Sequence, residues 1–97
     1  MNELEKKLAE LNKRYGADLG DRVEALEDFL SEYLSSGSKI ALEKLYKGAH
    51  ALAGSARTFG FSDVSVVAKE LELSARESDD AKKLLARLSE LKKLISS

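Results

Sequence analysis

The chain has 97 residues, of which 43% are hydrophobic, 34% charged and 6% aromatic, the size and mixture of a single domain that buries its own core. It contains no cysteine and no proline, which excludes a disulfide scaffold, a thiolate-bound zinc or iron–sulfur site and thiol catalysis. With 16 Lys and Arg against 17 Asp and Glu the net charge is −1, which provides no global field to recruit nucleic acid or anionic lipid.

No apolar run approaches the roughly 20 residues of a membrane span. The first residues, Met1 to Ala9, alternate charge with leucine and lack the apolar block of a signal peptide. A cytoplasmic protein is expected.

Apolar residues recur at steps of three and four along nearly the whole chain, and no stretch alternates as a strand would, so the predicted class is all-α. Leu4, Leu8, Leu11 and Tyr15 form the first stripe. Leu19, Val23, Leu26, Leu30 and Tyr33 form a second in phase with it, with Phe29 and Leu34 alongside. Between them lie Gly16 and Gly20, each unfavourable inside a helix, and Asp18 and Asp21 could cap a new start. A continuous helix over residues 2–36 would be about 50 Å long and overshoot any later partner. A bend or break is therefore expected, with Met1 to Tyr15 as an additional N-terminal helix packed across one end.

Ser35, Ser36, Gly37 and Ser38 form the clearest loop, Gly37 suiting the left-handed stop and Ser38 the next N-cap. The next helix carries Ala41, Leu42, Leu45, Ala49, Leu52, Ala56 and Phe59 and stops at Gly60. Ser62 is expected to cap the stripe Val64, Val67, Ala68, Leu71 and Ala75. Ser78 or Asp79 should cap the last, Ala81, Leu84, Leu85, Leu88, Leu91 and Ile95. Short connections make consecutive helices antiparallel neighbours, which predicts an up-down-up-down four-helix bundle spanning residues 1–97 as one domain. The acidic segment 18–36 and the basic segment 81–97 read as solvated faces that can pair across it.

The single histidine, His50, stands out by position. At 100° per residue the core stripe of its helix centres about 135° away, so the imidazole faces solvent. Glu43, Tyr46, Lys47, Gly54 and Arg57 share its side of the helix. Gly54 costs up to about 1 kcal/mol at an exposed interior position, which implies close approach there by another protein or by a neighbouring helix. A solvent-facing imidazole is largely neutral near neutral pH and keeps one free ring lone pair, so His50 can act as a nucleophile.

Other chemistries lack parts. Ser55 lies too far around the helix for a hydrolytic pair, and no carboxylate but Glu43, two turns away, is paired with His50 by sequence. The glycines from Gly54 to Gly60 lack the Gly-Lys-Ser/Thr of a phosphate loop, so no ATP site is visible. What remains is attack on an activated group brought by a partner, with Lys47 or Arg57 offsetting the charge gained.

Residues 49–61, Ala-His-Ala-Leu-Ala-Gly-Ser-Ala-Arg-Thr-Phe-Gly-Phe, resemble the signature of the histidine-containing phosphotransfer (HPt) domain of bacterial two-component phosphorelays. Ala68 to Glu72 resembles its following Ala-x-x-Leu-Glu. The resemblance implies a monomeric helical bundle without an ATP site, cofactor or metal of its own. Its phosphoacceptor, His50 by position, takes a phosphoryl group from a receiver-domain aspartate or a sensor histidine kinase, possibly a hybrid one. The group then passes to a response-regulator aspartate, with Mg²⁺ supplied by the receiver. Gly54 matches the glycine that admits a receiver, while Ser55, Ala56, Phe59, Gly60 and Phe61 match the turn and core. Many members carry Lys three residues after the histidine, where this chain has Ala53, so Arg57 and Lys47 are the candidate replacements near the phosphoryl group. Tyr46, Lys47, Ala51, Ala53, Gly54 and Arg57 are expected to form the docking surface around His50. The alternatives are a receiver-binding module that carries no phosphate, or a plain adaptor bundle with an incidental histidine.

Overall fold

A computed structural model describes residues 2–77 and 80–96. Its helices are α1 (Glu3–Ser36), α2 (Lys39–Thr58), α3 (Ser62–Glu77) and α4 (Ala81–Ser96), and there is no strand among the described residues.

Helix α1 starts where the Asn2 side-chain oxygen accepts the Glu5 N–H at 2.8 Å, one of the free donors of a first turn. It then runs unbroken through Gly16 and Gly20, so the expected break and the separate N-terminal helix are both absent. Tertiary contacts explain the continuity. The Tyr15 ring stacks on Phe59 with centroids 4.7 Å apart and tilts against Phe61 at 5.5 Å. Its hydroxyl lies 2.7 Å from Ser55 Oγ, and the Arg22 guanidinium sits 5.2 Å over the same ring. The Tyr15 contacts anchor α1 to the end of α2 next to Gly16, and the Arg22–Tyr15 contact spans that glycine within the helix, together outweighing its penalty of about 1 kcal/mol.

The 34 residues of α1 rise about 51 Å, matching the 51 Å long dimension of the molecule. The overshoot is real. Every described residue before Tyr15 is exposed, Leu4, Leu8 and Leu11 included, so the first stripe is not packed across the bundle end.

Gly37 ends α1 at φ +71°, its N–H bonding Tyr33 O at 2.8 Å, and Ser38 Oγ caps α2 by accepting the Ala41 N–H at 3.2 Å. Gly60, at φ +85°, closes α2. Phe61 N–H reaches Ala56 O at 2.8 Å and Gly60 N–H reaches Arg57 O at 3.2 Å, the paired bonds of a Schellman stop. Ser62 already lies inside α3, because Ser65 N–H bonds Phe61 O and puts Phe61 at the boundary. Asp80 starts α4, its carboxylate accepting the Lys82 N–H at 3.0 Å; the expected caps Ser78 and Asp79 lie outside the described residues.

Each helix packs on its neighbour in sequence, and α4 closes back on α1. Val23, Leu30, Leu45, Leu52, Leu71, Leu84 and Leu91 are the largest fully buried side chains. Helices α1 and α2 approach closely at Gly48, where a Cβ would lie 2.8 Å from Leu26 Cδ2. The acidic and basic segments meet where Lys92 Nζ lies 3.1 Å from Glu27 Oε2. No helix among the described residues is long and apolar enough to cross a membrane.

Candidate functional site

The α2–α3 interface builds the site. His50 sits in α2 with its side chain 65% exposed, as its place on the helix wheel predicts. Across the interface, Glu72 of α3 lies 97% covered, and both its carboxylate oxygens are 3.0 Å from His50 Nδ1. Lys69 Nζ donates to Glu72 Oε1 at 3.0 Å and Arg76 Nε to Oε2 at 2.8 Å. The Arg76 guanidinium also lies 4.4 Å over the half-buried Tyr46 ring, so α3 hands α2 a carboxylate held from three sides.

Burial pushes the Glu72 carboxyl upward, but hydrogen bonds from Lys69, His50 and Arg76 outweigh it and pull the pKa down to about 2. The carboxylate is therefore ionised at neutral pH and can only accept, so Nδ1 carries the shared hydrogen. In the neutral ring the lone pair is then on Nε2. A carboxylate that fixes tautomer and ring orientation in this way prepares the other nitrogen for bonding.

The depressed Glu72 pKa has a pH consequence. Its contribution to stability is fully present above the ordinary carboxylate range, near pH 4.5, and is lost as pH falls from there toward about 2. Its partners are about half exposed and water reaches them, so the contribution is about 1–2 kcal/mol. Between pH 5 and pH 2.5 (about the window set by those two values), urea unfolding of the wild type should lose more stability than that of Glu72→Gln. Parallel losses would mean that the cluster does not depress Glu72.

The sequence-predicted residues separate into three groups. Ala51, Gly54 and Arg57 are exposed on the His50 side of α2, and Arg57 borders a shallow groove with Ser62, Ser65, Val66, Lys69 and Glu70. Lys47 is also exposed, but its Nζ is 2.6 Å from Glu43 Oε1, a pairing that raises Lys47 and lowers Glu43. Ala53 is the correction: it is buried in the α2–α3 interface, where Ser65 Oγ donates to its carbonyl at 2.8 Å. Packing of α3 widens the buried arc of α2 to include it, so Ala53 cannot belong to a surface that a partner touches.

A Cβ on Gly54 would meet nothing within 4 Å, so no neighbouring helix requires the glycine. Its backbone is not in the left-handed region. Gly54→Ala should therefore raise unfolding stability by about 0.5–1 kcal/mol, read by chemical denaturation; a loss would show that this position is strained.

Sequence reasoning missed Glu72, Lys69 and Arg76 as neighbours of His50. The available signal was their spacing. Ser65, Lys69, Glu72 and Arg76 follow one another at four, three and four residues, a polar ridge beside the apolar stripe of α3. Nothing in the sequence of one helix states which ridge of the next it will face.

Among the described residues no three His, Cys, Asp or Glu side chains cluster as metal ligands. Fold and site together define a class: an all-helical bundle that presents a carboxylate-oriented histidine on its surface. The Hpt domain family model matches residues 3–97, and the chain belongs to this family, whose members carry phosphoryl groups on histidine in phosphorelays and are not kinases. Neither the search of curated proteins nor that of solved structures gives a significant match.

Proposed function

We propose that residues 1–97 form one Hpt domain in which His50 is the phosphoacceptor, exchanging a phosphoryl group with receiver-domain aspartates or a sensor histidine kinase. The observation that carries this reading is the His50–Glu72 contact. The Nε2 lone pair forms the N–P bond as the P–O bond to the donor aspartate breaks, and the aspartate carboxylate leaves with the electron pair. The proton on Nδ1 stays in place, and the positive charge that develops on the ring faces Glu72. Transfer back to a second aspartate reverses these events.

Such a transfer asks the protein for positioning and charge compensation more than for covalent machinery. Mg²⁺ belongs to the receiver in this reading, and the protein acts as a cytoplasmic monomer. Gly54, Ala51 and Arg57, with Tyr46 and Lys47 at the edge, form the face that the receiver approaches. The same reading takes the helices as an up-down-up-down bundle. Tyr15 meets Ser55 while Leu26 meets Gly48, and His50 meets Glu72 while Ala53 meets Ser65, so positions run in opposite senses across both interfaces.

Incubation with aspartyl-phosphorylated receiver domains and Mg²⁺, followed by intact-mass analysis, tests the proposal. One acid-labile phosphate is expected on the wild type and none on His50→Gln. Receiver binding without phosphate on His50 would support a non-transferring binding module instead.

A further inference from the structure

The geometry points to Lys69, on the helix opposite the histidine, as the cation that contacts the phosphoryl group on His50. The inference rests on His50 being the phosphoacceptor and adds a residue that its own helix does not supply.

Among the described residues of α2 and α3, four cations are candidates. Lys47 is neutralised by Glu43 at 2.6 Å. Arg76 is held twice, by Glu72 at 2.8 Å and by the Tyr46 ring at 4.4 Å. Arg57 lies seven residues from His50, about 10 Å along the helix axis. Among the described residues Lys69 pairs with Glu72 Oε1 alone, at 3.0 Å, and its side chain is 52% exposed. The same oxygen is 3.0 Å from His50 Nδ1, so a single carboxylate oxygen bridges the ammonium and the ring.

The long flexible stem of a lysine lets its ammonium swing between neighbouring anions. A phosphoryl group on Nε2, the ring nitrogen away from Glu72, adds anionic oxygens that compete for an ammonium otherwise bonded to one carboxylate. Lys69 moves toward those oxygens, and Glu72 keeps its bonds to Nδ1 and Arg76. No bond to Lys69 is made or broken. Its role is to compensate charge at the moment the N–P bond forms and for as long as it lasts. The buried position of Ala53 explains why this cation comes from α3: the side of α2 where the residue three positions after His50 projects is filled by α3 itself.

The test uses potassium phosphoramidate, a small donor that needs no receiver. Nε2 attacks phosphorus, the P–N bond of the donor breaks and ammonia leaves with the electron pair after protonation by water. Loading and decay are followed by intact mass on the wild type, Lys69→Ala, Lys69→Arg, Lys47→Ala and Arg57→Ala, with His50→Gln as the blank.

Lys69→Ala should load about 10-fold more slowly, Lys69→Arg should recover most of the rate, and Lys47→Ala and Arg57→Ala should each slow loading less than Lys69→Ala does; a larger loss in either would overturn the assignment to Lys69. Thermal unfolding should be nearly unchanged, as for other exposed side chains. The same Lys69→Ala change made in Glu72→Gln separates direct contact from an effect through Glu72. Further slowing in that background supports direct contact; no further slowing overturns it. Wild-type loading with an unaffected Lys69→Ala also overturns it and leaves His50 as phosphoacceptor. Failure of the wild type to load from phosphoramidate and from every phosphorylated receiver removes the phosphoacceptor reading itself.

Discussion

Glu72→Ala should slow phosphoryl acceptance by His50 about 100-fold, the scale of effect seen when a positioned proton-holding group is removed. The carboxylate receives the Nδ1 hydrogen at 3.0 Å. Without it the hydrogen divides between the two ring nitrogens, and the imidazole loses both its orientation and the charge facing its developing cation. Stability at neutral pH should fall by only about 1–2 kcal/mol, because His50, Lys69 and Arg76 are each about half exposed or more and can be hydrated once Glu72 is gone. The comparison is a loading rate from a phosphorylated receiver beside a denaturation curve. A rate within about 2-fold of wild type would show that the Glu72 contact does not orient the reacting ring.

The second large effect concerns two leucines that the sequence treats alike. Leu30→Ala should cost about 3 kcal/mol and lower the melting temperature by about 15 °C, because Leu30 is 1% exposed and sealed in the core. Leu8→Ala, at 52% exposure in the same helix, should change stability by less than about 0.5 kcal/mol. Thermal and urea unfolding of the two variants decides the matter. Similar losses would mean that the projecting part of α1 is packed in solution.

That pair of leucines shows where periodicity stops informing. Leu4, Leu8 and Leu11 are in phase with Leu19, Val23 and Leu26, and a repeat of three and four says only that one face of a helix is apolar. Burial requires a partner opposite that face, and α2 and α4 end before the projecting turns of α1 begin. The break expected at Gly16 failed for a related reason. Local propensity is a small term there, and the stacking of Tyr15 on Phe59 with its hydrogen bond to Ser55 comes from residues 40 or more positions away.

Signals with local causes were legible. Gly37 and Gly60 stop helices because both adopt the left-handed backbone, and Ser38 caps the next one with its own side chain. The exposure of His50 followed from arithmetic on one helix. Its partners Glu72, Lys69 and Arg76 did not, because their role depends on the rotation of α3 about its axis. Ala53 was misplaced for the same reason. It was expected on the docking surface around His50, and the packing of α3 buries it.

If Glu72 holds the Nδ1 hydrogen, phosphorus must bond to Nε2. Nitrogen-15 and phosphorus-31 NMR on ¹⁵N-histidine-labelled protein, loaded with phosphate and kept near neutral pH, locates the N–P bond directly. With one histidine in the chain the spectrum has a single assignment to make. The Nδ1–H tautomer is expected before loading and phosphorus coupled to Nε2 of His50 after it; phosphorus on Nδ1, or on any other residue, would overturn the role given to Glu72.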